Sequence, residues 1–396
     1  MAERKFGQIY TMSENFEDYS YIINGVGGIG KTTLVHEIGK LKTGSPEGTF
    51  IITCGGENKP KHIHKAFGHV APDVKTFVAI VKELCTNREA YPHTMFVAID
   101  SLDEYARIFE EYVVAEWNSS CEINERAKSI KQAYKGYQAG ENRVTSLMIQ
   151  QIMKLQDAGY SLLLIGHTKT KSKEDVISKV QFEQLTCNLD NKYYNALKDK
   201  VNLVAMCYYE NVIENIEEKK NAFTKKMDKV GELVDRKRVM VFADDDNAID
   251  CKSHFEYIEA KIDFNAKNFV KAVEDAIVMK IGVINGEIVT PVSASKPEST
   301  TVHEYEVNED DDLDADNTNE NNDLGEEAPF DVEDELDIEV EIEFDFEAAR
   351  TEIRNKNKTG TAEQKQKVKA LIAATKMKLD QIEDENVLKE ILAVFN

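Results

Sequence analysis

Nine consecutive residues, Gly25-Val26-Gly27-Gly28-Ile29-Gly30-Lys31-Thr32-Thr33, set a glycine-rich turn, one lysine and two hydroxyls between the apolar run Tyr21-Ile22-Ile23 and a segment with Leu34, Val35, Ile38 and Leu41 at helical spacing. This is G-x-x-x-x-G-K-[ST] in the context it requires, with a strand before it and a helix after it. The chemistry explains the residue types. Glycines carry no Cβ, so backbone N–H groups can turn inward around an anion. The helix N-terminus adds its dipole, the Lys31 ammonium can reach β- and γ-phosphates, and the Thr32 hydroxyl can ligate Mg²⁺. All nine residues are therefore expected to bind nucleotide, with ATP and Mg²⁺ as the ligands.

Three further positions extend that chemistry. Thr94 to Ser101 is an apolar run closed by Asp100. Continuous apolarity suits a strand buried on both faces of a parallel sheet. An aspartate at its carboxyl end sits where ligands bind open α/β sheets, positioned to hold Mg²⁺ through water. Thr49 to Cys54 is a second strand, leading through Gly55-Gly56 to Glu57, a carboxylate that could polarise the water attacking the γ-phosphate. Asp103 and Glu104 compete for that role. Tyr160 to Ile165 is a third buried strand, ending at Gly166-His167, where His167 is expected to sense the γ-phosphate. The catalytic set is thus Lys31, Glu57, Asp100 and His167.

The elements that must hold these residues follow from periodicity. Helical spacing marks Val74 to Leu84 and Val144 to Leu155, and further strands are expected at Val201 to Tyr209 and Arg238 to Ala243, with a charged connection between them. Strand, helix and strand at this spacing is a βαβ unit, so the fold class is α/β with a mostly parallel central sheet flanked by helices. Arg126, Lys128, Lys131 and Lys135 alternate with Tyr134 and Tyr137, and Lys169, Lys171 and Lys173 follow His167 in what reads as a flexible basic loop. Cations with aromatics suit single-stranded DNA, combining phosphate neutralisation with base stacking, although Glu122, Glu125 and Glu141 leave a solvated helix face as the alternative for the first cluster.

The formal charge of −23 is misleading. Of 72 acids, 23 fall between Glu298 and Glu347, a stretch with no Lys or Arg, which leaves 49 acids against 49 bases elsewhere. The low pI says nothing against nucleic-acid binding by the folded part. The expected organisation is a nucleotide-binding domain at 1–290, an acidic disordered linker at 291–345, and a small helical module at 346–396. Six scattered cysteines with no C-x-x-C pair point to neither zinc nor disulfides. With no membrane-length apolar run and no apolar leader, a cytoplasmic protein is expected, without membrane contact.

The order of these features, from the phosphate loop through Glu57, Asp100-Ser101 and Gly166-His167 to a lysine-bearing segment after the last strands, resembles the RecA-like nucleotide-binding proteins of phages. More narrowly, it is similar to the core-only RecA-like annealing ATPases that accompany phage recombination, and Tyr134-Lys135-Gly136-Tyr137 resembles that family too. The likeness spans residues 1 to 285 and implies an ATPase that assembles as a homo-oligomeric ring or filament on single-stranded DNA. By that resemblance Glu57 activates water, His167 reports the γ-phosphate to a DNA loop, and Lys252 enters a neighbouring subunit's site. His254 stands where an Arg is expected in that motif, so Arg236, Lys237 and Arg238 are substitutes. The C-terminal helices could then engage a single-strand-binding or replication protein. Two other readings stand beside this one. The loop is also similar to that of NB-ARC signalling switches, which would give a nucleotide-gated oligomer without DNA affinity. A replisome accessory ATPase is the third reading.

Overall fold

The structure is a computed structural model that describes residues 11–57, 60–174, 179–220, 227–243, 248–286, 346–375, 377–382 and 384–395. They fall into two compact units, Met1–Ile338 and Glu339–Asn396. The acidic stretch expected as a linker lies outside the described residues.

In the first unit the chain runs β1 (Tyr21–Gly25), α1 (Lys31–Thr43), β2 (Thr49–Cys54), β3 (Phe67–Ala71), α2 (Val74–Thr86), β4 (Phe96–Asp100), α3 (Leu102–Ser120), α4 (Ala139–Asp157), β5 (Ser161–Glu174), β6 (Gln181–Cys187), α5 (Asn191–Lys198), β7 (Leu203–Lys220), β8 (Met227–Val241), β9 (Lys252–Ser253), β10 (Lys261–Asp263) and α6 (Ala266–Ile284). The strands form one sheet in the order β10-β8-β7-β1-β5-β4-β2-β3, with β6 on β5 and β9 on β7. The pairs β7–β1, β1–β5, β5–β4, β4–β2 and β2–β3 are all parallel, which confirms the α/β class expected from the βαβ spacing.

Burial explains why these segments are strands. All five residues of β1 and all six of β2 are buried, as a parallel strand covered on both faces demands. On one face Tyr21 and Ile23 pack with Leu34, Val35 and Ile38 of α1 and Phe269, Val273 and Ile277 of α6. The rings of Tyr105 and Phe109 of α3 pack against Phe77 of α2, one tilted and one edge-on, and the Tyr105 hydroxyl donates to the Met148 carbonyl of α4, which ties three helices into a second layer.

Register then aligns the chemistry. Gly25 lies beside His167, Asp100 beside Ile165, and Thr53 beside Asp100. Every candidate catalytic residue therefore emerges at one sheet edge.

Two expectations need correction. The Lys169–Lys173 stretch is not a loop: β5 continues to Glu174 and pairs antiparallel with β6, from Thr168 opposite Cys187 to Glu174 opposite Gln181. The charged stretch after Tyr209 is not a simple connection either. β7 and β8 remain paired to Lys220 and Met227, a two-stranded arm running roughly 40 Å past the last residue that β7 shares with β1.

The second unit holds α7 (Phe346–Thr359), α8 (Ala362–Ala374) and α9 (Glu385–Ala393) around Ile353, Val368, Ile382, Leu388 and Ile391. A capping box at Thr361 and Gln364 starts α8. Arg350 is buried and donates to the Ile382 carbonyl at 2.8 Å. Among the described residues no helix is long and apolar enough to cross a membrane.

Candidate active site

The phosphate loop leaves β1 at Gly25 and enters α1 at Lys31, and two of its glycines are required, one by contact and one by backbone conformation. A Cβ at Gly25 would sit 2.9 Å from the Cys207 carbonyl of β7. Gly30 has φ +108°, and a Cβ there would meet the Arg238 guanidinium at 3.2 Å. The Lys31 ammonium is buried and donates to the Gly25 carbonyl at 2.7 Å and the Val26 carbonyl at 3.1 Å. Burial lowers its pKa, opposed by the nearby Asp100 carboxylate. Lys31 thus spans the loop it belongs to, in a position from which a phosphate oxygen can replace the two carbonyls.

Thr32 Oγ1 donates to Asp100 Oδ2 at 2.7 Å. Burial pushes the Asp100 carboxyl above its usual range, with the Thr32 bond pulling it back and the charge of Glu57 raising it again. A hydroxyl and a carboxylate in contact, beside an ammonium, are oxygen donors of the kind that would hold a hydrated Mg²⁺. Among the described residues no cluster of three His, Cys, Asp or Glu could hold a metal unaided. Such an ion would thus rely on phosphate oxygens and water as well as Thr32 and Asp100.

Glu57 follows the turn after β2, its amide bonded to the Cys54 carbonyl at 3.2 Å. Its Oε1 accepts from Ser101 Oγ at 2.9 Å, which links it to the residue after Asp100. The two competing carboxylates are occupied. Glu104 accepts from the Gly56 amide at 2.8 Å and from Arg107 at 2.6 and 2.9 Å, supporting the turn that presents Glu57. Asp103 accepts from His167 and Asn188.

That last contact organises the far side of the site. His167 Nδ1 lies 2.8 Å from Asp103 Oδ2, the His167 amide donates to the same oxygen at 3.3 Å, and Asn188 Nδ2 donates to Asp103 Oδ1 at 3.2 Å. The Asn188 amide donates to the His167 carbonyl at 2.7 Å, and Lys169 Nζ to the Asn188 carbonyl at 3.2 Å. The bond to Asp103 raises the His167 pKa. Burial pushes the Asp103 carboxyl up, but its bonds to His167 and Asn188 together with the imidazolium charge outweigh this and hold it below the usual range.

The sign of the pH dependence follows from these directions. A raised histidine contributes stability that is complete below its unfolded-state value and lost as pH rises through its folded value; a lowered aspartate contributes stability that is lost as pH falls through its folded value. A double-mutant cycle with His167→Gln and Asp103→Asn should show coupling at about pH 6 that collapses by about pH 9. Equal coupling at both pH values would mean the pair is not ionic.

Of the residues expected to meet DNA, Arg126, Lys128, Lys131 and Lys135 are exposed, whereas the Tyr134 hydroxyl donates to Glu116 at 2.6 Å and its ring lies against Trp117. Tyr137, 99% exposed, is the open aromatic of that segment. The backbone from Tyr134 to Gln138 has positive φ throughout, an uncommon conformation for the four non-glycine residues in it. On the β5–β6 ribbon, Lys169, Lys171 and Lys173 share one face with Thr186, Gln184 and Phe182 opposite them.

The cations expected to act on a neighbouring subunit contact their own chain. Arg238 Nη1 donates to the Ile29 carbonyl at 3.0 Å, holding the phosphate loop from β8. Lys252 Nζ donates to the Lys198 carbonyl at 2.6 Å, and Lys252 pairs with Val204, whose β1 neighbour is Ile22 near the amino end of that strand.

The glycine-rich loop, the lysine spanning it, and the Thr32–Asp100 contact at the carboxyl edge of a parallel sheet define a P-loop nucleotide-binding ATPase domain. Residues 17–252 match the AAA_24 model, an AAA domain, and the chain belongs to that family. No curated protein matches it. Among solved structures it is similar to a KaiC-like protein from the hyperthermophilic archaeon Pyrococcus horikoshii, at 12% identity and a TM-score of 0.30, over 57% of this chain and 78% of that one.

Proposed function

We propose that this chain hydrolyses ATP and couples its nucleotide state to single-stranded DNA, assembling on it as a homo-oligomer to promote strand annealing. The observation that carries the reading is the hydrogen-bonded chain from Asp103 through His167 and Asn188 to Lys169. It begins three residues after Asp100 and ends on the basic face of the ribbon. A γ-phosphate that engages His167 changes what Asp103 and Asn188 must satisfy, and Lys169 shares that network.

In this reading the loop amides and Lys31 bind the triphosphate, Thr32 and Asp100 hold Mg²⁺, and Glu57 takes a proton from the attacking water. Mg²⁺, when bound, neutralises charge on the β- and γ-oxygens. Ser101 keeps Glu57 oriented, and Glu104 with Arg107 props the turn that carries it. Lys169, Lys171 and Lys173 neutralise phosphates while Phe182 and Tyr137 offer stacking surfaces.

Single-strand binding followed in rising salt tests this. Changing Lys169, Lys171 and Lys173 together to Gln should make the slope of log K against log salt shallower by about 2, given roughly 0.7 per phosphate contact on single strands. Absent DNA binding in the parent chain, or an unchanged slope in the variant, would overturn the assignment. Assembly that responds to ATP but ignores DNA would favour the nucleotide-gated switch.

A further inference from the structure

We propose that a second anion site, separate from the phosphate loop, lies at the β3 edge of the sheet and takes a small phosphate-bearing molecule. An open pocket of about 690 Å³ lies there between the 60–66 loop, β3 and the first turn of α2, a volume within the usual range of ligand pockets. Lys61, Lys65 and His69 line it, and no acid does.

Three observations point to a ligand. None of those three side chains forms an ion pair or hydrogen bond with another described residue, so two ammonium groups and an imidazole share one concavity without a carboxylate partner. Thr53, only 2% exposed, also lines the cavity and brings a hydroxyl-bearing residue to its wall. Lys65 has φ +59°, a left-handed conformation that non-glycine residues seldom adopt. Thr76 adds a second hydroxyl, while Ile63 and Val70 give the cavity apolar wall. Such walls favour a phosphate carried on an organic body over the free ion.

The site is distinct from the phosphate loop by topology. β3 is four strands from β1 in the sheet order, about 19 Å at the usual spacing.

The test uses the full chain carrying Lys31→Ala, which disables the phosphate loop, titrated calorimetrically with adenosine monophosphate and with inorganic phosphate. One equivalent of adenosine monophosphate should bind, at least tenfold more tightly than phosphate. Adding Lys61→Ala with Lys65→Ala should weaken it at least tenfold. Thr53→Val, which keeps the buried volume, should weaken it several-fold, with melting curves confirming folded protein. Three results would each overturn the proposal: no heat with either probe, affinity indifferent to Lys61 and Lys65, or, in the chain with Lys31 intact, complete loss of adenosine monophosphate binding in the presence of a saturating ATP analogue. The last would make the cavity an extension of the nucleotide site.

Discussion

Replacing Lys31 with Ala should lower the ATP turnover number by about 10²–10³-fold, roughly 3–4 kcal/mol of lost transition-state stabilisation. The ammonium is fixed before substrate arrives. It is buried, bonded to the Gly25 and Val26 carbonyls, and carried by the first residue of α1. Little reorganisation is needed for it to follow charge as it develops on the transferring phosphoryl group. Nucleotide affinity should fall as well, because the ammonium also meets the ground-state phosphates, so kcat and KM change together. The substitution leaves two carbonyls without their donor, and a melting curve checks that the fold survives. Lys31→Arg keeps the charge but brings a broad planar fork into a space shaped for an ammonium, and should rescue little. Full turnover in folded Lys31→Ala protein would remove the phosphate loop from the chemistry.

What could be read from the chain alone was what a short segment determines by itself. The phosphate loop, the apolar strand ending in Asp100 and the helical spacings that start from Val74 and Leu34 are local patterns, and burial of both faces of β1 and β2 leaves a run of apolar residues that needs no partner to be recognised. The β5–β6 ribbon was hidden because Lys169, Lys171 and Lys173 alternate with Thr168, Thr170 and Ser172. Its alternation is polar on both faces, so no apolar stripe signals a strand. β3 was hidden for another reason: it is a short, half-exposed edge strand interrupted by Gly68. The His167–Asp103 contact joins residues 64 apart in sequence. From the sequence Asp103 reads only as a competitor for the catalytic carboxylate, and nothing local marks Asn188 at all. Pairings set by register between strands and helix starts become visible only when the sheet is assembled.

Glu57→Gln is the sharper test of the chemistry, with an expected loss in turnover of about 10²–10⁴-fold, the range for removing a general base, while ATP affinity stays near that of the parent chain. Gln keeps the side chain's size and can still accept from Ser101 Oγ, so the turn after β2 should persist. What is lost is the anionic oxygen that can take a proton from water. The competing carboxylates are expected to behave differently because they are already engaged. Glu104→Gln weakens the Arg107 ion pair and the support of the Gly56 amide, so it should act indirectly and mildly through the position of Glu57. Asp103→Asn unpairs His167, and its main effect should fall on DNA-coupled behaviour and on the pH profile rather than on proton abstraction. Single-turnover hydrolysis, measured beside nucleotide affinity for the three variants, separates these cases. If Glu57→Gln hydrolyses at the parental rate while Glu104→Gln or Asp103→Asn does not, the base is the other carboxylate, and Ser101 orients a bystander. If Glu57→Gln retains ATP without cleaving it, the protein should also remain in the state that γ-phosphate contact with His167 stabilises. Its grip on single strands should then outlast that of the parent chain, whose bound ATP is consumed.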